Sequence, residues 1–377
     1  MNQTTTLTTL QSTATRYTTV ERASAIYNGV LDIFDYTKSS DVTTPFQLAL
    51  KQVKELPGRS GKVLVPGAGI GTYILALLQE GFKPEQITAV ELNPAYARLG
   101  YGIFNRLGVN YVTADFLFWQ PNMQFDVIIG NPPYQAPKKE GKKGPGGDNA
   151  LFVKFIDKAL DLIGPGGYIS MLTPSSAIMK TTVKGKPTPT LNKMLNRGAL
   201  VSLNLDANEY FKVGSFIGHW LFKEGEEQRD VIFTKGKKSV EISVQDIFYC
   251  PPVFEEVEFS LFKKIVTNTK GSPLYVTRNR PDREYCMNRL GYPKIAKNGP
   301  GVLGFDAEHS EFMLSQLGLW LLDYVRRHDQ FIYHNLLTGI CVPPEGFDLT
   351  YEESQFINSK QWRNFGVNES KLVVTDE

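Results

Sequence analysis

The sequence predicts an open α/β fold, a mostly parallel Rossmann-like sheet with helices on both faces, followed by a smaller mixed α+β domain. Three observations predict it. Short apolar strands alternate with amphipathic helices from about Pro45 onward, the rhythm of a parallel sheet covered on both sides. Chemically distinctive loops follow the first four of those strands, where open α/β sheets hold their ligands. After Phe222 the alternation gives way to a charged, turn-rich stretch, residues 225–238, which ends the first fold.

The elements follow in order. Residues 1–20 are polar and rich in threonine, so they read as a flexible N-terminus. Residues 46–55 carry apolar positions at helical spacing. Residues 62–65 form a short apolar strand that runs into Pro66-Gly67, and residues 72–79 the next helix. Residues 87–90 are a second strand, 96–107 a second helix, 111–113 a short third strand and 125–129 a fourth, a continuous apolar run. Residues 151–162 read as a helix stopped by Gly164-Pro165-Gly166-Gly167, and 168–172 as a fifth strand. Further on, 257–266 and 312–327 are helical, and 271–301 irregular. The expected division is therefore 1–20 as the N-terminus, 21–225 as one domain and 226–377 as a second; 377 residues comfortably hold two cores.

Composition narrows the function classes. The formal net charge is only +2, but it is unevenly spread. Residues 131–200 hold eleven Lys/Arg against four Asp/Glu, and residues 344–377 hold three against seven. Such polarity suits a basic face. The three cysteines, Cys250, Cys286 and Cys341, are far apart, and the four histidines do not cluster, so neither a disulfide framework nor a metal site is expected. A reduced, cytoplasmic setting follows. The N-terminus lacks the apolar core of a signal peptide, and no run approaches a membrane span.

The loops carry the chemistry. Pro66-Gly67-Ala68-Gly69 follows the first strand; glycines there let a ligand approach the backbone near a helix N-terminus. Glu91, followed by Leu92, ends the second strand 22 residues beyond Gly69. A carboxylate so placed can accept from both hydroxyls of a ribose. Asp115 after the third strand can accept from an adenine amino group, and Phe116 can stack on its face. The fourth strand feeds Asn131-Pro132-Pro133-Tyr134. Two prolines remove two N–H donors and stiffen the turn, which leaves acceptors, the Asn131 side-chain oxygen and the Pro132 carbonyl. An acceptor pair suits a planar NH₂ group, and Tyr134 offers a flat base a stacking surface. The charged Lys138, Lys139, Lys142 and Lys143 follow at once, suited to phosphates.

On these residues, 43–222 resemble the gamma-class N6-adenine DNA methyltransferases, the Taq-type restriction–modification methylases. The run Ala114-Asp115-Phe116-Leu117-Phe118-Trp119 and the strand ending in Gly130-Asn131-Pro132-Pro133-Tyr134 are the most similar. The resemblance implies an S-adenosylmethionine-dependent methyltransferase sheet and a C-terminal target-recognition domain. It implies that Thr44, Pro66, Gly67, Gly69, Glu91, Leu92, Asp115 and Phe116 hold S-adenosyl-L-methionine. Asn131, Pro132 and Tyr134 would be catalytic, with Phe211 as a second aromatic against a flipped-out adenine, Tyr210 and Phe216 being close rivals. The family often has an acidic residue where Val65 stands here, so another group must meet the cofactor's ammonium.

The expected partner is double-stranded DNA, methylated by a monomer of bacterial or phage origin, with a separate cognate endonuclease as a further partner. Three readings compete: an RNA N6-adenine or N2-guanine methyltransferase, a protein glutamine methyltransferase using the same loop, and a nucleotide-binding module. The residues after 225 favour DNA, because Arg278, Arg280 and Arg283 lie with Arg289, Lys294, Lys297, Tyr275 and Tyr285 in one irregular stretch. Cytosine C5 chemistry is disfavoured, since no Pro-Cys pair is present.

Overall fold

Nine strands pair into one sheet, in the order β3-β2-β1-β4-β5-β7-β6-β8-β9. The structure is a computed structural model, and it describes residues 20–33, 43–134, 150–179, 188–205, 207, 210–211, 217–235, 238–244, 255–266, 272–273, 277–278, 303–304, 315–328, 341–342 and 347–360. The strands are β1 (Val63–Pro66), β2 (Ile87–Glu91), β3 (Asn110–Thr113), β4 (Phe125–Gly130), β5 (Ile163–Pro174), β6 (Gly198–Asn204), β7 (Ile217–Glu224), β8 (Val231–Lys235) and β9 (Lys238–Ile242). The first five run parallel. β7 inserts antiparallel between β5 and β6, β8 follows β6 in parallel, and β9 closes the edge antiparallel. A parallel half that ends in an antiparallel seventh strand between the fifth and sixth is the open α/β sheet that the alternation of strands and helices predicts.

Helices cover the sheet: α1 (Val20–Ile33), α2 (Phe46–Lys54), α3 (Thr72–Gln79), α4 (Pro94–Phe104), α5 (Leu151–Leu162), α6 (Ser176–Met179) and α7 (Pro189–Leu195). The central strands read as unbroken apolar runs because both faces are covered. Val63, Val65, Val127 and Ile129 join one core cluster with residues of α1 to α4. Leu64 and Ile128 alternate to the other face and are also fully buried. β1 lies between β2 and β4, so the strand order reverses there. The ends of β1 and β4 therefore flank the crevice where such sheets bind ligands.

Two expectations need correction. Gly164 to Gly167 do end α5, but they belong to the next strand, since β5 begins at Ile163 and pairs Phe125 with Ile163 before a register shift. The first domain does not end at 225. β8 and β9 continue the same sheet, and the chain divides into Met1–Lys180 with Pro187–Val244, and Thr181–Lys186 with Gln245–Glu377. The charged, turn-rich stretch is a two-stranded edge, in which β8 alternates Val231 and Phe233 inward with Ile232 outward.

Within the second unit, the described residues form α8 (Glu256–Val266), α9 (Gln316–His328) and α10 (Tyr351–Asn358), with the short antiparallel pairs β10 (Ser272–Pro273) with β13 (Cys341–Val342) and β11 (Thr277–Arg278) with β12 (Leu303–Gly304). The helices meet through Phe262, Trp320 and Tyr324, whose rings stand 4.5 Å and 5.3 Å apart around Tyr324. Buried Glu258 accepts from Trp320 Nε1 at 3.2 Å, which satisfies two polar groups at once. Among the described residues no helix is long and apolar enough to cross a membrane, and no cluster could hold a metal ion.

Candidate functional site

The crevice is built from four strand ends. Past β1 the chain turns through Gly67 and Gly69, with φ of 63° and 58°, a left-handed backbone that glycine adopts without strain. A side chain at Gly69 would enter open space, so the turn leaves room for a bound molecule. A Cβ on Gly67 would stand 3.8 Å from Pro133 Cδ and 4.0 Å from the Asn131 carbonyl oxygen. The glycine turn and the Asn-Pro-Pro-Tyr loop thus face each other across the switch point.

Glu91, at the end of β2, is buried. Its Oε2 accepts from Gly69 N–H and its Oε1 from Asn93 N–H, both at 2.7 Å. The carboxylate therefore locks the glycine turn to the start of α4. A carboxylate at a strand end beside a glycine turn is an acceptor of the kind a ribose diol needs. Beside it, Tyr111 donates its hydroxyl to the Gly69 carbonyl. Leu92 is 64% exposed and forms a rim. Asp115 spends Oδ1 on Leu117 N–H at 2.9 Å, and among the described residues nothing engages its other oxygen. Phe116 is buried against Phe155, ring centroids 4.9 Å apart. A cradle open at Gly69, a carboxylate beside it and a spare acceptor at Asp115 fit a nucleoside sulfonium such as S-adenosyl-L-methionine.

Asn131 starts the loop after β4. Its Nδ2 donates to Thr44 Oγ1 at 3.0 Å, while its buried Oδ1 has no hydrogen-bond partner among the described residues. A buried acceptor without a donor costs free energy, about 1–3 kcal/mol. That cost is recovered when a bound molecule brings an N–H. Pro132 is buried next to it. Tyr134 lies edge-on to Phe152, centroids 6.5 Å apart, and packs on the cluster of Leu48, Leu172, Ala207, Phe211 and Ile217. Burial pushes the Tyr134 hydroxyl well above the ordinary tyrosine range. Among the described residues that hydroxyl also has no hydrogen-bond partner.

Phe211 and Tyr134 are thus brought together from distant parts of the chain, and of the two described aromatics Phe211 is buried while Tyr210 is 42% exposed. Thr44 is beside Asn131, where its hydroxyl oxygen accepts from the Asn131 amide. Val65 is fully buried. Lys138, Lys139, Lys142, Lys143, Arg280, Arg283 and Phe216 lie outside the described residues, and of Arg278 only the backbone, in β11, is described. Sequence reasoning missed Gln52 and Tyr73. Both are buried, and Tyr73 donates to Gln52 Oε1 at 2.7 Å. The one available signal was a glutamine on the apolar face of α2.

Comparison with known proteins places this geometry in context. Residues 103–210 match the Eco57I restriction-modification methylase family. The chain is 27% identical over 135 residues to the type II methyltransferase M.TthHB8I of Thermus thermophilus, covering 31% of this chain and 30% of that one. It is 28% identical over 123 residues to a tRNA1(Val) (adenine(37)-N6)-methyltransferase of Bacteroides thetaiotaomicron, covering 30% and 52%. Among solved structures, the type I restriction-modification methyltransferase subunit of Streptococcus thermophilus aligns with a TM-score of 0.44 at 20% identity, over 64% of this chain and 56% of that one. The chain thus spans about a third to a half of the length of the curated relatives it matches. The resemblance to N6-adenine methylases of restriction–modification systems is supported.

Proposed function

We propose, from the premise that residues 103–210 are a restriction-modification methylase domain, that this chain transfers a methyl group to the N6 amino group of adenine in double-stranded DNA. The observation that carries the reading is the buried, unpartnered Asn131 Oδ1 beside Tyr134 and opposite the glycine turn. S-adenosyl-L-methionine is the cofactor that such a domain implies, and when bound it supplies an electrophilic methyl on a sulfonium.

The chain's own residues do the rest. Glu91 and Asp115 hold the ribose and the adenine of the cofactor, and Phe116 backs it. Asn131 Oδ1 accepts one hydrogen of the target amino group, and the Pro132 carbonyl accepts the other. Accepting both would turn the nitrogen lone pair out of conjugation with the ring and free it to act as a nucleophile. Tyr134 and Phe211 give the base an apolar slot. A paired adenine cannot reach this slot, so it must leave the duplex, at a cost of a few kcal/mol. The residues from 245 onward supply sequence recognition, which would separate DNA from the smaller substrates of similar loops.

RNA adenine is the second reading, favoured by the likeness to a tRNA methyltransferase. One experiment decides. Labelled cofactor is incubated with the chain and, separately, with unmethylated genomic DNA, total tRNA and total protein. Label recovered as N6-methyladenine in DNA is the expected result. Label on tRNA or protein alone overturns the proposal.

A further inference from the structure

Gly69 is gripped on both sides of one residue. Its N–H donates to Glu91 Oε2 at 2.7 Å, and its carbonyl accepts from the Tyr111 hydroxyl. The two side chains come from β2 and β3, 22 and 42 residues further along the chain. Tyr111 reaches a long way to do this. β2 lies between β3 and β1, so the ring has to pass β2 to meet the turn that follows β1. The residue opposite Tyr111 on β2 is Ala89, too small to stand in the way. On α4, Gly100 leaves a notch, because a Cβ there would collide with the Tyr111 ring and its hydroxyl oxygen. Glycine inside a helix is less stable than alanine, and here the missing side chain makes room for that hydroxyl.

Core packing does not ask for the hydroxyl. Tyr111 is buried in one apolar cluster with Tyr27, Ala68, Ile103 and Phe104, where a phenylalanine ring would fill nearly the same volume. Once buried, the hydroxyl needs a partner. The one it takes belongs to the glycine turn and not to a helix or a strand. That turn borders the open part of the crevice, since Gly69 sits at φ 58° and a side chain on it would meet open space. Glycine samples left- and right-handed backbone with similar ease, so Gly69 alone does not hold this geometry. Its N–H belongs to the peptide before it and its carbonyl to the peptide after it. Glu91 and Tyr111 therefore fix the two planes whose relative rotation is φ and ψ. Burial, and after it the charge of Glu91, push the Tyr111 hydroxyl well above the ordinary tyrosine range, so it keeps its proton and stays a donor.

Resting on the proposed cofactor reading, we infer that Tyr111 is a positioning residue for S-adenosylmethionine: by fixing the Gly69 carbonyl it holds the glycine turn in its ligand-accepting form and keeps Gly69 N–H on Glu91, so that the carboxylate meets the ribose in one orientation. Tyr111 acts on the cofactor through Gly69 and Glu91. Without its hydroxyl the turn must be ordered when the cofactor arrives, and that ordering is subtracted from the affinity. The effect falls on binding and not on the transfer step.

The test uses the full chain and Tyr111→Phe, which keeps the ring and removes one hydroxyl. Calorimetric titration should show S-adenosylmethionine and its demethylated product each bound about 3–10-fold more weakly, the scale of one neutral hydrogen bond. The kcat at saturating cofactor should stay within about twofold of wild type. A second readout needs no cofactor. In the chain labelled with ¹⁵N-glycine, the Gly69 amide is identified by its loss in Gly69→Ala. Tyr111→Phe should speed its hydrogen exchange about tenfold, as a local opening does. The Gly225 amide, which donates to the Arg197 carbonyl at 2.9 Å just past β7, should not change. Unaltered cofactor affinity in Tyr111→Phe overturns the inference whatever happens to the denaturation midpoint, since Tyr111 would then serve the core alone. So does equal acceleration at Gly69 and Gly225, or a lower kcat with unchanged affinity. A wild-type chain that binds no S-adenosylmethionine overturns the proposed function instead, and exchange at Gly69 then judges the grip.

Discussion

On the proposed reading Asn131 serves the target and Glu91 the cofactor, and their surroundings say how each will fail. The Asn131 side chain donates to Thr44, and among the described residues its Oδ1 has no partner. Asn131→Ala should therefore lower kcat by roughly 10²–10³, the cost of one acceptor lost from a transition state. Cofactor affinity should stay near wild type in a calorimetric titration. Near-normal turnover in this variant would remove the centre of the mechanism. Glu91 has two duties, because it also ties Gly69 N–H and Asn93 N–H. Glu91→Ala should weaken cofactor binding by about 1–3 kcal/mol and lower the unfolding temperature as well, since two N–H groups lose their acceptor. An unaltered dissociation constant would place the ribose ligand elsewhere.

At the scale of elements, the start of α3 is the most exposed to change. Gly71 caps that helix at φ 105°, and a Cβ there would stand 2.3 Å from the ring of Phe104 on α4. Both the backbone and the neighbour forbid a side chain. Gly71→Ala should destabilise the fold by about 1–3 kcal/mol, measured by urea denaturation, and should loosen the turn that carries Gly69. A variant as stable as wild type would mean that α3 and α4 slide freely. Helices α3 and α5 are legible in sequence to the residue, since apolar spacing defines them and glycines bound α3 at Gly71 and Gly81 and stop α5 at Gly164. The strands β6 to β9 are less legible. β7 is buried on both faces, as helices can be, and β8 and β9 alternate on a polar edge that also reads as loop.

At the scale of the whole molecule, the sheet decides where the chain can be cut. A chain ending at Glu224 would lack β8 and β9 and leave β6 with an open edge, a template for aggregation. A chain ending at Val244 keeps all nine strands. It should bind S-adenosylmethionine like the full chain and lose sequence-selective DNA binding, checked by calorimetry and by sequencing of methylated sites. Sequence-specific methylation by the shorter chain would move recognition into the first unit. Stability should also fall at high pH. Burial raises the Tyr73, Tyr111 and Tyr134 hydroxyls above the tyrosine range. Their native forms are neutral and fully stabilising below the unfolded value of about 10. Above it the unfolded chain loses protons that the native chain keeps, so stability declines as pH rises. Denaturation midpoints at pH 8 and pH 11 should show this, and Tyr111→Phe should reduce the difference. An equal loss in that variant would assign the decline to other groups.

The sequence by itself determined the strand–helix alternation, the order of the loops and the Asn-Pro-Pro-Tyr turn, because these depend on local spacing and on prolines and glycines that act within a few residues. It also marked Glu91 and Asp115, since a carboxylate just past a strand end needs no distant partner to be noticed. Only the tertiary structure decided which way Asn131 faces. Its amide nitrogen meets Thr44, 87 residues earlier in the chain. The same holds for Phe211 meeting Tyr134, for Glu91 gripping the glycine turn, and for β8 and β9 joining the first sheet. A hydrogen bond or a ring contact between residues tens of positions apart leaves no periodic trace, because burial tells a side chain that it must have a partner without naming which one.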